Sequence, residues 1–169
     1  MINFWVAQFF GFVALVILII SFQRNSKFFL LKYQIFSSLL YSIQYVFLGA
    51  FTGCLMNLSC MIRNIIFNNY KKVPLYWLII VLFFMILFSI FTFDGFISLL
   101  PMFAVIFYSL ALWYGNLRII RIIEMVSCVL FIIYNINVRA YTGLLATLIE
   151  FFGAFFAFLK FDLFGYSNK

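Results

Sequence analysis

The chain of 169 residues contains no histidine, only two prolines and only four acids, and 9% of its residues are charged. Each scarcity excludes a class of protein. A water-soluble domain carries about a quarter of its residues as charges to keep its surface hydrated, which this chain does not. With no histidine and no Cys-x-x-Cys pair, zinc and its neighbours lose their usual ligands. The three cysteines, Cys54, Cys60 and Cys128, fall inside apolar segments, where a buried free thiol is the ordinary state. Neither a paired-carboxylate spacing nor a phosphate-cradling loop occurs, so an enzyme would rest on serine, lysine or a lone glutamate. No enzymatic activity, no cofactor and no resident metal are expected.

What is abundant is apolar. Hydrophobic residues make up 68% of the chain, with 27 Phe and 10 Tyr, and the mean hydropathy is +1.21. An exterior this apolar implies lipid as its solvent. A transmembrane β-barrel would show segments of roughly ten residues alternating apolar and polar. Here the runs Phe9–Phe22 and Tyr76–Phe93 are unbroken, which reads as helix. The opening Met-Ile-Asn-Phe-Trp has no basic stretch of the kind that starts a cleaved leader, so the first helix is expected to remain. A net charge of +7 does not point to nucleic acid, because the bases form no soluble patch.

A hydrocarbon core about 30 Å thick needs roughly 20 helical residues at about 1.5 Å each. The spans read as Phe4–Phe22, Phe28–Leu48, Ala50–Phe67, Leu75–Phe93, Phe96–Trp113, Ile119–Val138 and Thr142–Phe161, joined by short connections. With seven spans, Arg24, Lys27, Lys32, Arg63, Lys71, Lys72, Arg118, Arg121, Lys160 and Lys169 fall on one side of the membrane. Arg139 alone falls on the other. Basic residues are retained in the cytoplasm during insertion, so the N-terminus is expected outside and the C-terminus inside. The cytoplasmic bases form a collar suited to anionic lipid headgroups, at about 1 kcal/mol each.

The second and third spans recur in the sixth and seventh. At an offset of 90 residues, Ala50-Phe51-Thr52-Gly53 matches Ala140-Tyr141-Thr142-Gly143. At the same offset, Gln34, Ser37, Tyr41 and Gln44 align with Glu124, Ser127, Phe131 and Tyr134. Slipping by one residue pairs Asn25 and Lys27 with Asn116 and Arg118. The matched positions step by three or four, so each set is a stripe along one helix face. A three-span unit reverses direction, and one connecting span restores it. The expected architecture is therefore an all-α membrane protein of seven transmembrane helices in a 3+1+3 arrangement of two parallel triple-helix bundles. The first repeat covers residues 4–67, the linker helix 75–93 and the second repeat 96–161. Parallel repeats about an axis along the membrane normal are known among small transporters.

Several residues carry a family resemblance: Gln8-x-x-Gly11, Ser21-Phe22-Gln23, and Leu48-Gly49-Ala50 followed by Asn57 and Arg63. On these the chain resembles the YgjV-type bacterial inner membrane proteins, most clearly over its first three spans. More distantly, the 3+1+3 layout looks like the SWEET facilitators and other PQ-loop-type triple-helix bundles. That likeness implies a solute site between two bundles near the midplane, with Asn57 facing it from the third span and Thr147 or Glu150 from the seventh. The chain departs from the SWEETs in lacking a Pro-Gln dipeptide, and its prolines are Pro74 and Pro101. Proline hinges are therefore not part of the expectation.

A charge deep in a span costs about 2.5–3.5 kcal/mol on insertion scales, so it usually faces a partner or a cavity. Arg63 and Glu124 lie at similar depth, which suits an ion pair between the bundles. The plainer alternative is an Arg63 that snorkels to the headgroups and a Glu124 paired locally with Arg121. Glu150 lies near the midplane with no base at its depth. It either binds a cationic or hydrogen-bonding group or is a protonated packing residue. Tyr41 and Gln44 on the second span, and Tyr134 and Asn135 on the sixth, read equally as cavity lining or as helix-packing hydrogen bonds. Gly49-x-x-x-Gly53 offers a face for a homo-oligomer, with a tight turn as the plainer reading.

Two functions fit these features. One is a facilitator or transporter of a small polar solute in the bacterial inner membrane. The alternative is a non-transporting scaffold or partner subunit. Both require seven crossings, and seven is odd. An N-terminal reporter active only outside the cytoplasm and a C-terminal reporter active only inside are both expected to work. Two termini on one side would refute the count.

Overall fold

In the computed structural model, which describes residues 2–22, 27–70 and 72–163, the chain folds into seven α-helices, and no strand occurs among the described residues. They are α1 (Ile2–Phe22), α2 (Lys27–Phe47), α3 (Phe51–Asn69), α4 (Leu75–Phe91), α5 (Leu100–Tyr114), α6 (Leu117–Asn137) and α7 (Tyr141–Phe158). Gln23, Arg24, Asn25, Lys71 and Lys169, together with the side chains of Ser21, Phe22 and Lys27, lie outside the described residues.

The ends of the helices shift from the expected positions for local reasons. Asn116 accepts hydrogen bonds from the Arg118 and Ile119 amides at 3.0 and 3.3 Å, so α6 starts two residues early on a side-chain cap. Thr92 leaves helical geometry and ends α4 at Phe91. A 3-10 turn, Phe96–Leu99, precedes α5, and Pro101 then sits in the first turn of the α-helix, where its missing amide is harmless. At the far end, α7 widens into a π-turn over Leu159–Leu163. This turn delivers Asp162 to Arg121 at 2.6 Å.

Four segments are long and apolar enough to cross a membrane: Asn3–Ile20, Phe96–Tyr114, Leu117–Asn137 and Tyr141–Leu163. The α4 helix is apolar but shorter. The remaining two, α2 and α3, are diluted by residues such as Gln34, Ser42, Gln44, Asn57, Ser59 and Asn64. Of these, Ser42, Gln44, Ser59 and Asn64 are buried. The exterior is the apolar part. Phe9, Phe83, Ile90 and Phe156 are each about 60% exposed or more, and on α4 Leu78, Val81, Met85 and Ser89 are buried, with Leu82 and Phe88 packed beside them.

In α1–α3 and again in α5–α7, the middle helix packs on both neighbours, while α1 meets α7, α3 meets α5, and α4 lies against α3 and α5. Buried alanines, among them Ala7, Ala14, Ala104, Ala140 and Ala146, let the backbones approach. The same bonds recur 90 residues apart. Ser37 donates to the Ala14 carbonyl at 3.1 Å, and Ser127 donates to the Ala104 carbonyl at 2.9 Å. The α2–α3 turn closes with the Ala50 amide on the Tyr45 carbonyl, and the α6–α7 turn with the Ala140 amide on the Asn135 carbonyl, both 2.9 Å. This is the bond pattern of a Schellman turn, which needs a left-handed residue just past the helix. Gly49 fills that place at φ 71° in the first turn and Arg139 at φ 58° in the second.

Gly53 is needed for a different reason. A Cβ there would meet the Tyr134 ring at 2.8 Å, its hydroxyl at 2.9 Å and the Tyr45 ring at 3.0 Å. Around Gly153 nothing lies within 4 Å. Gly53→Ala is therefore expected to lower stability by about 1–3 kcal/mol through overpacking. Gly153→Ala should leave it unchanged or slightly higher. Melting curves of the two variants in the same detergent check the contrast.

Candidate functional site

The polar faces of α2, α3, α6 and α7 turn toward each other and divide into a sealed layer and a cavity. The layer lies near the end of the molecule that carries the α2–α3 and α6–α7 turns. Gln8 of α1 accepts from the Thr142 amide and hydroxyl, both at 3.1 Å, and donates to the Arg139 carbonyl at 3.0 Å. Gln44 of α2 donates to the Thr142 hydroxyl at 2.8 Å. Next to these, the Tyr45 hydroxyl donates to Asn135 Oδ1 at 2.6 Å, and Asn135 Nδ2 donates to the Thr147 hydroxyl at 3.2 Å. The Gly53 amide donates to the Tyr134 hydroxyl at 2.9 Å. These bonds tie α1 and α2 to α6 and α7, and α3 to α6; Gln44 Oε1 is left without a hydrogen-bond partner among the described residues.

Beyond the layer, toward the end where α2 and α6 begin, is a cavity of about 160 Å³. That is room for several waters or a solute of few heavy atoms. Tyr41 and Gln34 line it from α2, Asn57 and Arg63 from α3, Tyr108 from α5, Glu124 from α6, and Thr147 and Glu150 from α7. Of the residues expected at a solute site, Tyr41, Asn57, Thr147 and Glu150 thus share one cavity, and so do Arg63 and Glu124. Gln44, Tyr134 and Asn135 do not reach it and belong to the hydrogen-bonded layer. On the other side of the layer, a recess of about 520 Å³ opens between the turns, with Tyr134 in its wall. Tyr134 and Tyr45 stand with ring centroids 5.9 Å apart, one facing the recess and the other the cavity.

The expected direct ion pair between Arg63 and Glu124 is not formed, and the alternative of a snorkelling Arg63 with Glu124 paired to Arg121 is not formed either. Arg63 is 3% exposed. Its Nε and Nη2 donate to Asn64 Oδ1 at 3.2 and 3.0 Å, and its Nη1 donates to Ser109 Oγ at 3.1 Å. The guanidinium also lies 5.2 Å from the Tyr108 ring centre, a cation–π distance. The physical reason is rotation about the helix axis. Equal depth places Arg63 and Glu124 at one level, but α3 turns Arg63 toward α5, where Ser109 and Tyr108 reach it first. Arg121 is engaged by Asp162 instead of Glu124.

Among the described residues, the buried Tyr41 hydroxyl and the carboxyl groups of Glu124 and Glu150 on the cavity wall have no hydrogen-bond partner. The Glu150 carboxylate makes neither a hydrogen bond nor an ion pair with any described residue. Among the described residues, no group of His, Cys, Asp and Glu is placed to hold a metal. The sequence reading missed Tyr108, Ser109 and Asn64, which hold Arg63, and Gln8, which anchors the layer. Gln8 did appear among the family residues. Tyr108 and Ser109 sit in an otherwise apolar span and gave no signal.

The family described as Imp-YgjV, bacterial inner membrane protein, matches residues 5–163, and the chain belongs to it. It is a multi-pass protein of the bacterial inner membrane. No curated protein and no solved structure matches the chain.

Because Arg63 rests on Asn64 and Ser109 rather than on Glu124, exchanging the charges in Arg63→Glu/Glu124→Arg is not expected to restore what either single change removes. Asn64→Leu, which strips two bonds from the buried guanidinium, should cost about 1.5–3 kcal/mol. Unfolding titrations in mixed micelles measure both. Restoration by the charge exchange would show that the two residues do pair.

Proposed function

We propose that this inner membrane protein is a facilitator or transporter of a small polar solute, bound in the cavity between two parallel three-helix repeats and exposed to each side in turn. The observation that carries the proposal is the cavity itself, which presents an unpartnered buried tyrosine hydroxyl and an unpartnered carboxylate, Tyr41 and Glu150, to a space large enough for a solute. A protein built only to scaffold others gains nothing from leaving such groups unpaired, because each costs free energy in a low-dielectric interior.

The proposed arrangement is the 3+1+3 layout, with residues 4–67 and 96–161 as the repeats and α4 as the connector. Its support is the pair of serine-to-carbonyl bonds and the pair of Schellman turns that recur at an offset of 90 residues. The reciprocal contacts of α1 with α7 and α3 with α5 add to it. Seven crossings with the basic end in the cytoplasm would put the layer toward the outside and the cavity toward the inside. In that state the layer is a closed outer gate, and its hydrogen bonds, apart from Asn135 to Thr147, run between the repeats or from Gln8 to the α6–α7 turn. Rocking the repeats would break those bonds and join the outer recess to the cavity.

Two native cysteines provide the test. Cys60 and Cys128 line the cavity, whereas Cys54 does not. In a Cys54→Ala background, solute counterflow in proteoliposomes is expected to be blocked by a small membrane-permeant thiol reagent. Replacing Cys60 and Cys128 as well should remove that block. Glu150→Gln should reduce flux at least tenfold with the protein still folded. Full flux in Glu150→Gln, together with thiols that never react, would refute a solute path through this cavity.

A further inference from the structure

The cavity wall carries a guanidinium, Arg63, and two carboxyl groups, Glu124 and Glu150, and none of the three is paired with another. Arg63 is buried and all three of its hydrogen bonds go to neutral acceptors, with no carboxylate within 4 Å among the described residues. A guanidinium has five N–H groups. After the bonds to Asn64 and Ser109, one N–H on each terminal nitrogen is uncommitted. Those two free donors are what Arg63 can offer to the oxygens of a carboxylate. Glu124 and Glu150 line the same space and accept no hydrogen bond from a described residue. Arg63, Tyr108, Glu124 and Glu150 line one and the same cavity.

Resting on the transport reading above, we infer that the solute is a small zwitterion with an ammonium group and a carboxylate a few bonds apart. The carboxylate is taken by Arg63 and the ammonium by Glu150 with Glu124. Other classes fit less well. A simple cation would satisfy the glutamates but add positive charge beside a buried guanidinium that lacks an anion. A simple anion would meet Arg63 but face two carboxylates. A neutral polyol would leave the buried Arg63 guanidinium without an anion, the costly condition for a buried ion. A zwitterion matches both signs at once. The volume of about 160 Å³ limits its size, and the free Tyr41 hydroxyl offers one further hydrogen bond.

The experiment uses the full chain in nanodiscs for thermal shift and in proteoliposomes for counterflow. The probes are glycine, L-alanine and β-alanine as zwitterions, ethanolamine as cation, propionate as anion and glycerol as neutral solute. At least one zwitterion is expected to raise the melting midpoint and to exchange, with the other three classes at least tenfold weaker. Arg63→Gln and Glu150→Gln should each weaken the zwitterion about tenfold or more. Arg63→Lys, which keeps the charge, should recover part of the loss. If Arg63→Gln does not survive purification, the ranking of probe classes on the unaltered chain decides. A cation, anion or polyol that binds as well as the best zwitterion overturns this inference and leaves transport standing. If no probe of any class binds or moves, the transport reading is overturned together with this inference.

Discussion

Hydrocarbon offers no hydrogen bonds, and every feature of this molecule follows from that constraint. Within a bilayer core each polar group must find its partner in the protein, because an unmatched one costs several kcal/mol. Helices solve this for the backbone. For side chains the solution is to face inward: phenylalanine and isoleucine cover the outside, and serines, asparagines and Gln44 share the interior with alanine, leucine, methionine and tyrosine. α2 and α3 are less apolar than their neighbours because their inner faces supply most of those groups.

Once the polar side chains face one another, their spacing decides whether the interior is sealed. Near the turn end, glycines and alanines bring the backbones close, and the side chains reach across. Gly11 is an example: a Cβ there would strike the Thr142 hydroxyl and the Gln44 amide. Flush against that glycine, Gln44 can reach Thr142, and Thr142 can reach Gln8. Further along the same helices a gap opens, and the Tyr41 hydroxyl and the Glu124 and Glu150 carboxyl groups do not meet across it. Tyr41 is one helical turn from Tyr45. The Tyr45 hydroxyl finds Asn135, whereas the Tyr41 hydroxyl finds nothing. Seal and cavity are thus two parts of one interface, separated by about 5–6 Å of helix rise.

How much of this could be read from the residues depends on which distances the helix itself sets. Rise per residue and membrane thickness set the number of helices, so that number was legible, and the end residues moved with local features such as the Asn116 cap and the 3-10 turn before α5. Spacing of three and four identifies an inward face, so the stripe through Gln34, Tyr41 and Gln44 was legible too. What the stripe leaves out is what stands opposite each of its members. That is fixed by the register and rotation of a partner helix far away in the chain. Gln44 and Tyr134 therefore read as cavity lining in sequence and lie in the sealed layer in space. Arg63 shows the same limit: its depth was readable, but its direction depended on Ser109, a residue with no distinguishing context in its own span.

The contact between Tyr45 and Asn135 shows what the proposed duplication would demand. The two positions are 90 residues apart and face each other, so on a parallel repeat they are equivalent sites meeting across the pseudo-two-fold axis. Identical residues at such a place would have to satisfy each other symmetrically. Two tyrosines would place ring against ring where there is room for one and leave Thr147 without its donor. Two asparagines would be too short to span the gap. A tyrosine opposite an asparagine resolves both problems. The hydroxyl bridges the distance and donates to Oδ1, and the amide nitrogen remains free to donate to Thr147. The neighbouring pair, Gln44 and Tyr134, is likewise unlike, and each member serves a different partner. On the proposed duplication, unlike residues at the axis are what would let the interface close without leaving Tyr45 or Asn135 unpaired.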